Sequence, residues 1–356
     1  MGRVVELREY FIYGFGFFAT LFIIWLLSPV ARNIGLVDEP NTRKQHEFPV
    51  PLIGGIAIVI TFLMSLLLVD FTLQPLRILV FGVALLLLVG VLDDHRDLPP
   101  FGKLLGQVAT SLVLVVIGGL EIQFIGDIFA TGVVHGLGFL AIPVTVLFII
   151  LVINAYNLID GHDGLASGCL VVSLFGLAFL CFKSGEINYQ RICLLLLSIL
   201  VAFMLYNLPF IVGKRRQVFM GDAGSMFLGL FAAFMILELS TGPEPSLKLT
   251  AAPWILGLPL LDMLGVVAYR IMGRKSPVKA DRSHIHHIVR KAGLGNYSTL
   301  LVLLAIHFGL VAVGVWGSRH NWQDYLLFRY AICLLVFYLL AKWVMSKTLP
   351  KILSTD

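Results

Sequence analysis

Eleven apolar runs, each near the ~20 residues that a bilayer-crossing helix needs, fix what this 356-residue chain can become. They lie at 10–31, 52–69, 74–92, 101–119, 139–158, 164–182, 190–210, 223–240, 250–269, 298–316 and 325–345, each bounded by charge, Pro or Gly clusters. Hydrophobic residues make up 58%, charged residues 13%, and mean hydropathy is +0.93. A soluble domain carries about 25% charge, so this chain has too little to cover a water-facing surface. The expected fold is all-α: a polytopic membrane protein of about eleven transmembrane helices, one integral-membrane domain over 1–356. A disordered chain, a disulfide-rich secreted domain and a nucleic-acid binder are excluded. Cys169, Cys181, Cys193 and Cys333 sit in apolar runs without a CxxC pair and read as buried free thiols. The first run starts near Tyr10 and is long enough to be a permanent helix rather than a cleaved leader.

Eleven spans put the termini on opposite sides. Sorting the basic residues by side places 18 of 26 on the face holding 32–51, 93–103, 159–163, 211–222, 270–297 and the tail from Lys342. The positive-inside rule makes that face cytoplasmic, with the N-terminus outside and the C-terminus inside. The net charge of +5 then reflects topology rather than a polyanion partner. The stretch 120–138 falls outside; its alternation and glycines predict a short strand pair or a re-entrant hairpin. No pair of matching broken helices marks a transporter-type repeat.

The unusual polar residues all fall on the cytoplasmic side. Asp93-Asp94-His95-Arg96-Asp97 follows the third run; 154–164, from Asn154 to Gly164, joins the fifth and sixth; 219–225 opens the eighth; 281–287 lies in the loop after the ninth. Three carboxylates within five residues repel unless a cation sits among them, so Asp93, Asp94 and Asp97 read either as a solvated turn or as a divalent-metal or general-base site. Asp160 and Asp163 are three apart, which in a helix shares a face, as are Asn154 and Asn157. Asp222 lies between Gly221 and Gly224 where a helix starts; free N–H groups there favour phosphate, and the carboxylate reads as a helix cap or as a Mg²⁺ ligand. The histidines of 284–287 lack the spacing of a zinc helix and fit sugar or phosphate contact. Lys103 faces the Asp cluster across one short loop. His95 and His162 read as interfacial; His135, His307 and His320 stand alone without a role. Asp262 is an intramembrane acid that should face the bundle interior, as a structural contact or a functional one.

The ordered motifs DDHRD, NAYNLIDGHDGLA, FMGDAGS and DRSHIHH resemble those of the polyprenyl-phosphate N-acetylhexosamine-1-phosphate transferases (glycosyltransferase family 4). The resemblance extends to 43–55 and to 259–270. HIHH looks like the WecA/TagO branch and departs from the three adjacent histidines of the MraY branch. What the resemblance implies is transfer of GlcNAc-1-phosphate from UDP-GlcNAc to undecaprenyl phosphate with release of UMP, opening O-antigen, common-antigen or teichoic-type glycan assembly. It implies Mg²⁺, with Mn²⁺ as an alternative, held by Asn157 and Asp222. Asp93, Asp94, Lys103 and Asp222 would form the catalytic set, with Asp93 as base or lipid-phosphate contact. Asp160, Asp163 and Phe219 would bind the nucleotide. Arg270, Arg282, His284, His286 and His287 would contact the sugar phosphate. Asp97, Lys44 and His46 would support the lipid phosphate. The expected setting is a bacterial inner membrane, with a cytoplasm-facing active site built from loops 32–51, 93–103, 159–163, 211–222 and 270–297. The bilayer is the third partner after the two substrates, and a homodimer is allowed. The rivals are the same chemistry with another UDP-N-acetylhexosamine or UDP-MurNAc-pentapeptide, and a membrane transporter.

Overall fold

A computed structural model describes residues 2–40, 48–70, 74–242, 245–272, 274 and 284–352. It is an all-α membrane protein. Ten helices among the described residues are long and apolar enough to cross a bilayer. They are α1 (Gly2–Ile34), α3 (Gln74–Arg96), α4 (Pro100–Leu112, continued as a π-helix over Val113–Ile117), α5 (Ala141–Ile159), α6 (Leu165–Ser184), α7 (Ile187–Asn207), α9 (Gly221–Thr241), α10 (Ala252–Met272), α12 (Asn296–Arg319) and α13 (Asp324–Ile352). The expected second span, 52–69, is instead a 13-residue helix, α2 (Gly54–Leu66). At ~20 Å it is shorter than the hydrocarbon core, and it packs against α1, α7 and α9 inside the bundle. The remaining helices are short, α8 (Pro209–Val212) and α11 (Ile285–Lys291).

With no water in the bilayer, each helix must satisfy its own polar groups. The buried hydroxyls of Thr20, Ser65, Ser111 and Thr145 do so by donating to the carbonyl four residues earlier, at 2.6–2.8 Å. Cys169, Cys181 and Cys193 are buried free thiols, whereas Cys333 is exposed on α13, against expectation. Segment 120–138 closes through the bridge Phe124–Gly136, the expected short strand pair. Thr131 and Gly132 N–H groups hold the Asp127 carboxyl below its usual range in that turn.

The central element is α9, buried along nearly its whole length. Small residues let three neighbours approach its backbone, the usual solution where lipid supplies no hydrophobic drive between helices. A Cβ on Gly55 of α2 would stand 2.2 Å from Gly224; one on Gly90 of α3 would stand 2.3 Å from the Ala223 Cα; one on Gly229 would stand 2.5 Å from the Ile153 Cα of α5. Two of these contacts flank Asp222, so backbone packing sets where that carboxylate sits.

Helix α10 is broken in mid-course. Gly257 adopts φ 42°, ψ −117°, and Pro259 follows. Proline has no N–H for the carbonyl of Ile255; the Ser173 hydroxyl donates to it instead, at 2.7 Å. The Leu258 N–H donates to His307 Nδ1 at 3.2 Å, which leaves the proton on Nε2, 2.9 Å from the Cys169 carbonyl and 3.1 Å from Ser173 Oγ. A side chain at 257 would meet the His307 ring at 2.6 Å. His307, without a role in the sequence, is the splint of this break.

Candidate active site

The site grows from the ends of α3, α4, α5 and α9. Two backbone strips align it. Antiparallel β1 (Val37–Asp38) pairs with β2 (Val50–Pro51). Beside β2 runs 218–220: Phe219 N–H donates to the Pro51 carbonyl, and Gly54 and Gly55 N–H groups donate back to the Phe219 and Met220 carbonyls, at 2.8–3.0 Å. Buried Asn207 at the end of α7 ties this strip to the next motif. Its side-chain Oδ1 accepts from Gly164 N–H at 2.6 Å, and its side-chain amide donates to the Val218 carbonyl at 3.0 Å.

Asp222 is the hub. Its Oδ2 accepts from Lys103 at 2.8 Å, and its Oδ1 accepts from the Asn157 amide at 3.0 Å. Lys103 also pairs with Asp93, which is buried and accepts from the Leu98 N–H at 2.8 Å. One ammonium thus sits between two carboxylates, where mutual repulsion calls for positive charge. Asp94 does something the sequence did not foretell. It accepts from the N–H groups of Asp222 (2.7 Å) and Ala223 (3.2 Å). The start of α9, expected to offer free N–H groups to phosphate, is therefore already capped by an anion. Gly221, at φ 72°, makes the approach feasible, because a Cβ there would strike Asp94 at 2.6 Å. Asp97 stands apart, exposed and closing the turn at φ 47°.

Asp160 and Asp163 lie in the turn between α5 and α6, not on a helix face as their spacing predicted. Gly164, at φ 75°, forces the chain around. Burial, then the charges of Asp222, Asp163 and Asp94, push the Asp160 carboxyl well above the usual carboxylate range. Phe219 is half-buried with its backbone fixed by the strip. Arg270 is buried at the end of α10. Lys44, His46 and Arg282 lie outside the described residues.

The histidines stack over this turn. His286 is 2% exposed, and neither ring nitrogen has a hydrogen-bond partner. Its ring lies 5.9 Å from His284, 4.2 Å from His287 and 6.2 Å from His162, and a Cβ on Gly161 would touch it at 2.9 Å. Burial, then His287, pushes its pKa down to about 3, so it is neutral at pH 7. His162, read as interfacial, belongs here. Its Nδ1 meets the Asp163 carbonyl at 3.1 Å, and its buried Nε2 is unpaired. The contacts thus bring all four polar motifs to one end of the bundle.

Sequence reasoning missed Gln107, Ser225 and Asn207 as well. Gln107 holds Asn154 in a paired-amide contact at 2.7 and 3.4 Å, and Ser225 accepts from Asn157 at 2.9 Å. Two of these carried a signal: Gln107 follows Lys103 by four residues and Ser225 follows Asp222 by three, so each shares a helix face with a residue already singled out.

Asp222 and Asn157 each carry a side-chain oxygen, the ligand type a hard divalent cation takes; here Asp222 Oδ1 accepts from the Asn157 amide nitrogen and Oδ2 from Lys103. Among the described residues no three His, Cys, Asp or Glu side chains converge into a metal shell. Two protein oxygens completed by substrate phosphates and water are the arrangement that Mg²⁺ takes, so the residues fit that ion.

The sequence pattern of Glycosyl transferase family 4 matches residues 76–240. A protein of Salmonella typhi is 30% identical over 339 residues, 94% of this chain and 92% of its own. A Yersinia pestis protein is 29% identical over the same shares, and one of Haemophilus influenzae is 30% identical over 89% of this chain and 88% of its own. All three carry the name undecaprenyl-phosphate alpha-N-acetylglucosaminyl 1-phosphate transferase. With its length covered almost end to end by such relatives and its acidic knot inside the matched segment, the chain belongs to glycosyl transferase family 4.

Proposed function

We propose that this protein transfers GlcNAc-1-phosphate from UDP-GlcNAc to undecaprenyl phosphate, giving undecaprenyl-pyrophosphate-GlcNAc and UMP, as the first step of a lipid-linked glycan. It works at the cytoplasmic face of a bacterial inner membrane. The observation that carries the reading is the knot of Asp93, Lys103, Asp222 and Asn157 at a bundle end, beside buried histidines with unpaired nitrogens.

The reaction needs a lipid-phosphate oxygen to attack the β-phosphorus of the nucleotide sugar. The new P–O bond forms as the bond to the UMP oxygen breaks, and the electron pair leaves with UMP. The lipid phosphate is already an anion at neutral pH, so a single displacement asks little more than alignment and charge neutralisation. Lys103 supplies fixed positive charge between Asp93 and Asp222. Asn157 and Asp222 would hold Mg²⁺, or Mn²⁺ in its place, which when bound would supply Lewis-acid charge. Asp93, already pinned by Leu98 and Lys103, orients that ammonium and receives a proton from any monoprotonated lipid phosphate. Asp94 holds the start of α9, and with it Asp222, in place. Phe219, Asp160 and Asp163 border the uridine; Arg270, His284, His286 and His287 border the sugar phosphate. The transporter reading loses its ground because the acids gather at one end of the bundle, and the break in α10 is closed by His307.

The test is a transfer assay on purified protein with undecaprenyl phosphate and Mg²⁺, offering UDP-GlcNAc, UDP-GalNAc or UDP-MurNAc-pentapeptide and following UMP and lipid product. Turnover confined to UDP-GlcNAc supports the reading. Turnover with another donor overturns the sugar, and no UMP from folded protein with any donor overturns the reaction.

A further inference from the structure

Asp262 lies on α10, one element away from the acidic knot, and its surroundings are unusual for a buried carboxylate. It is 1% exposed and accepts three hydrogen bonds from two parts of the chain, the start of α11 and α13. His284 Nδ1 stands 2.8 Å from Oδ2, the Ile285 N–H donates to Oδ1 at 2.9 Å, and the Tyr338 hydroxyl of α13 donates to Oδ1 at 2.7 Å. The contact with Tyr338 is built into α10. A Cβ on Gly265, three residues on from Asp262 and on the same face, would stand 2.2 Å from the Tyr338 ring. Only glycine lets that ring cross α10 to reach the carboxylate. The ring carries a cation as well, with Lys342 Nζ 5.7 Å from its centroid.

The arrangement reaches the site through His284. A carboxylate accepts and does not donate when ionised, so its contact with Nδ1 places a proton on that nitrogen and leaves Nε2 alone for a substrate. The Ile285 N–H bond fixes the first turn of α11, which carries His286 and His287, against the same anion. Resting on the function proposed above, we propose that Asp262, braced by Tyr338 across Gly265, is a positioning residue that sets the tautomer and orientation of His284 toward the donor's sugar phosphate. It touches no reacting atom itself. Carboxylate–imidazole pairs elsewhere work in this way: replacing the acid by its amide leaves the ring in place with the wrong nitrogen protonated. The C-terminal helix α13 thereby acquires a share in donor binding that its lipid-facing sequence does not announce.

The experiment is a double-mutant cycle on the full-length protein in detergent, read by UMP release, with ¹⁵N shifts of the His284 ring as a second readout. Asp262→Asn is expected to lower donor kcat/KM at least about tenfold to a hundredfold, the usual cost of disturbing a ligand's orienting partner, with the lipid-acceptor KM little changed. Tyr338→Phe keeps the ring's packing and removes one hydroxyl; about a threefold to tenfold loss is expected, the cost of one hydrogen bond. If Asp262 acts through His284, either change made on top of His284→Ala adds little further loss. Full additivity with His284→Ala overturns the proposal, because a merely structural acid lowers both backgrounds alike. The ¹⁵N readout decides without turnover: the wild-type ring protonated at Nδ1, and altered in Asp262→Asn or Tyr338→Phe, supports the positioning role. A ring unaffected in both variants overturns it. Wild-type protein that binds none of the donors productively yet shows the Nδ1–H tautomer and its loss in the variants overturns the proposed reaction and leaves the positioning pair standing.

Discussion

Two buried histidine sites lie a few turns apart in this bundle, and they differ in one respect. At the break in α10, His307 has both ring nitrogens engaged, by Leu258 on one side and by Cys169 and Ser173 on the other. At the mouth, His286 is buried as deeply, yet both of its nitrogens are unpaired, as is Nε2 of His162. A buried polar atom without a partner costs about 1–3 kcal/mol. Unpaired hydroxyls also occur deeper in the bundle, at Thr61, Thr110 and Ser167, but a hydroxyl can rotate toward its own helix's carbonyl. An imidazole held between other rings has no such outlet. The difference sets a histidine that completes the fold against one to which the function proposed above gives a place at the donor's sugar phosphate.

The largest effect should come at the hub beside the second site. Asp222→Asn removes the carboxylate that Lys103 and Asn157 share. Transfer should fall on the order of 10²–10³-fold or more, with the detergent melting temperature nearly unchanged because Asp94 still caps α9. Substantial residual UMP release would remove Asp222 from the chemistry and turn the knot into scaffolding.

Next in size is the pair that tests the comparison directly. His307→Leu strands Leu258 N–H and disturbs Ser173, so it should lower stability by about 2–4 kcal/mol and leave the turnover of the surviving folded protein intact. His286→Leu deletes two unpaired nitrogens. It should be neutral or slightly stabilising in a melt, while raising donor KM about tenfold to a hundredfold. If both variants lose stability equally, or if His307→Leu lowers kcat in folded protein, the distinction between splint and binding group fails.

How far the sequence reaches follows the same division. Ten of the eleven expected spans and the grouping of DDHRD, 154–164, 219–225 and HIHH at one end were legible, because hydropathy and charge asymmetry act along the chain. Which residue serves which partner was not. Asp94, read as one of the active-site acids, also caps α9, and that contact depends on the approach of α3 to α9 at Gly90 and Ala223. Asp160 and Asp163 looked like a helical pair, and Gly164 turns them out of the helix. His307 looked idle because its partners, Leu258, Cys169 and Ser173, come from helices distant in sequence. Tyr338 gave no signal, since a tyrosine in an apolar helix is ordinary until Gly265 opens a path to Asp262.

Acid offers a further test of His286. The His286 pKa of about 3 lies below the ordinary histidine value, so the folded state binds fewer protons than the unfolded one. Its contribution to stability is present above about pH 6.5 and declines as pH falls toward 3, by at most about 1.4 kcal/mol per unit. A melt series from pH 7.5 to 5 should slope downward in wild type and less steeply in His286→Leu. An equal slope in both would assign the acid sensitivity elsewhere, with His162, whose pKa burial also lowers, as the next group to replace.

The smallest effect concerns the edge of the mouth. Phe219 has its backbone locked between Pro51 and Gly54, and the residue is half-buried. A half-buried ring contributes less to stability than a core aromatic, and under the function proposed above its role is to stack on the uridine base. Phe219→Leu keeps most of the apolar bulk and removes the flat face, so the melt should move little. Donor KM should rise about threefold to tenfold, the 0.5–1.5 kcal/mol that an aromatic stack adds beyond burial. Titration with UMP alone isolates the base from the sugar, and an equal weakening of UMP is expected. A loss confined to UDP-GlcNAc and absent with UMP would move Phe219 from the uridine to the sugar, placing its ring and the buried histidines on one ligand group.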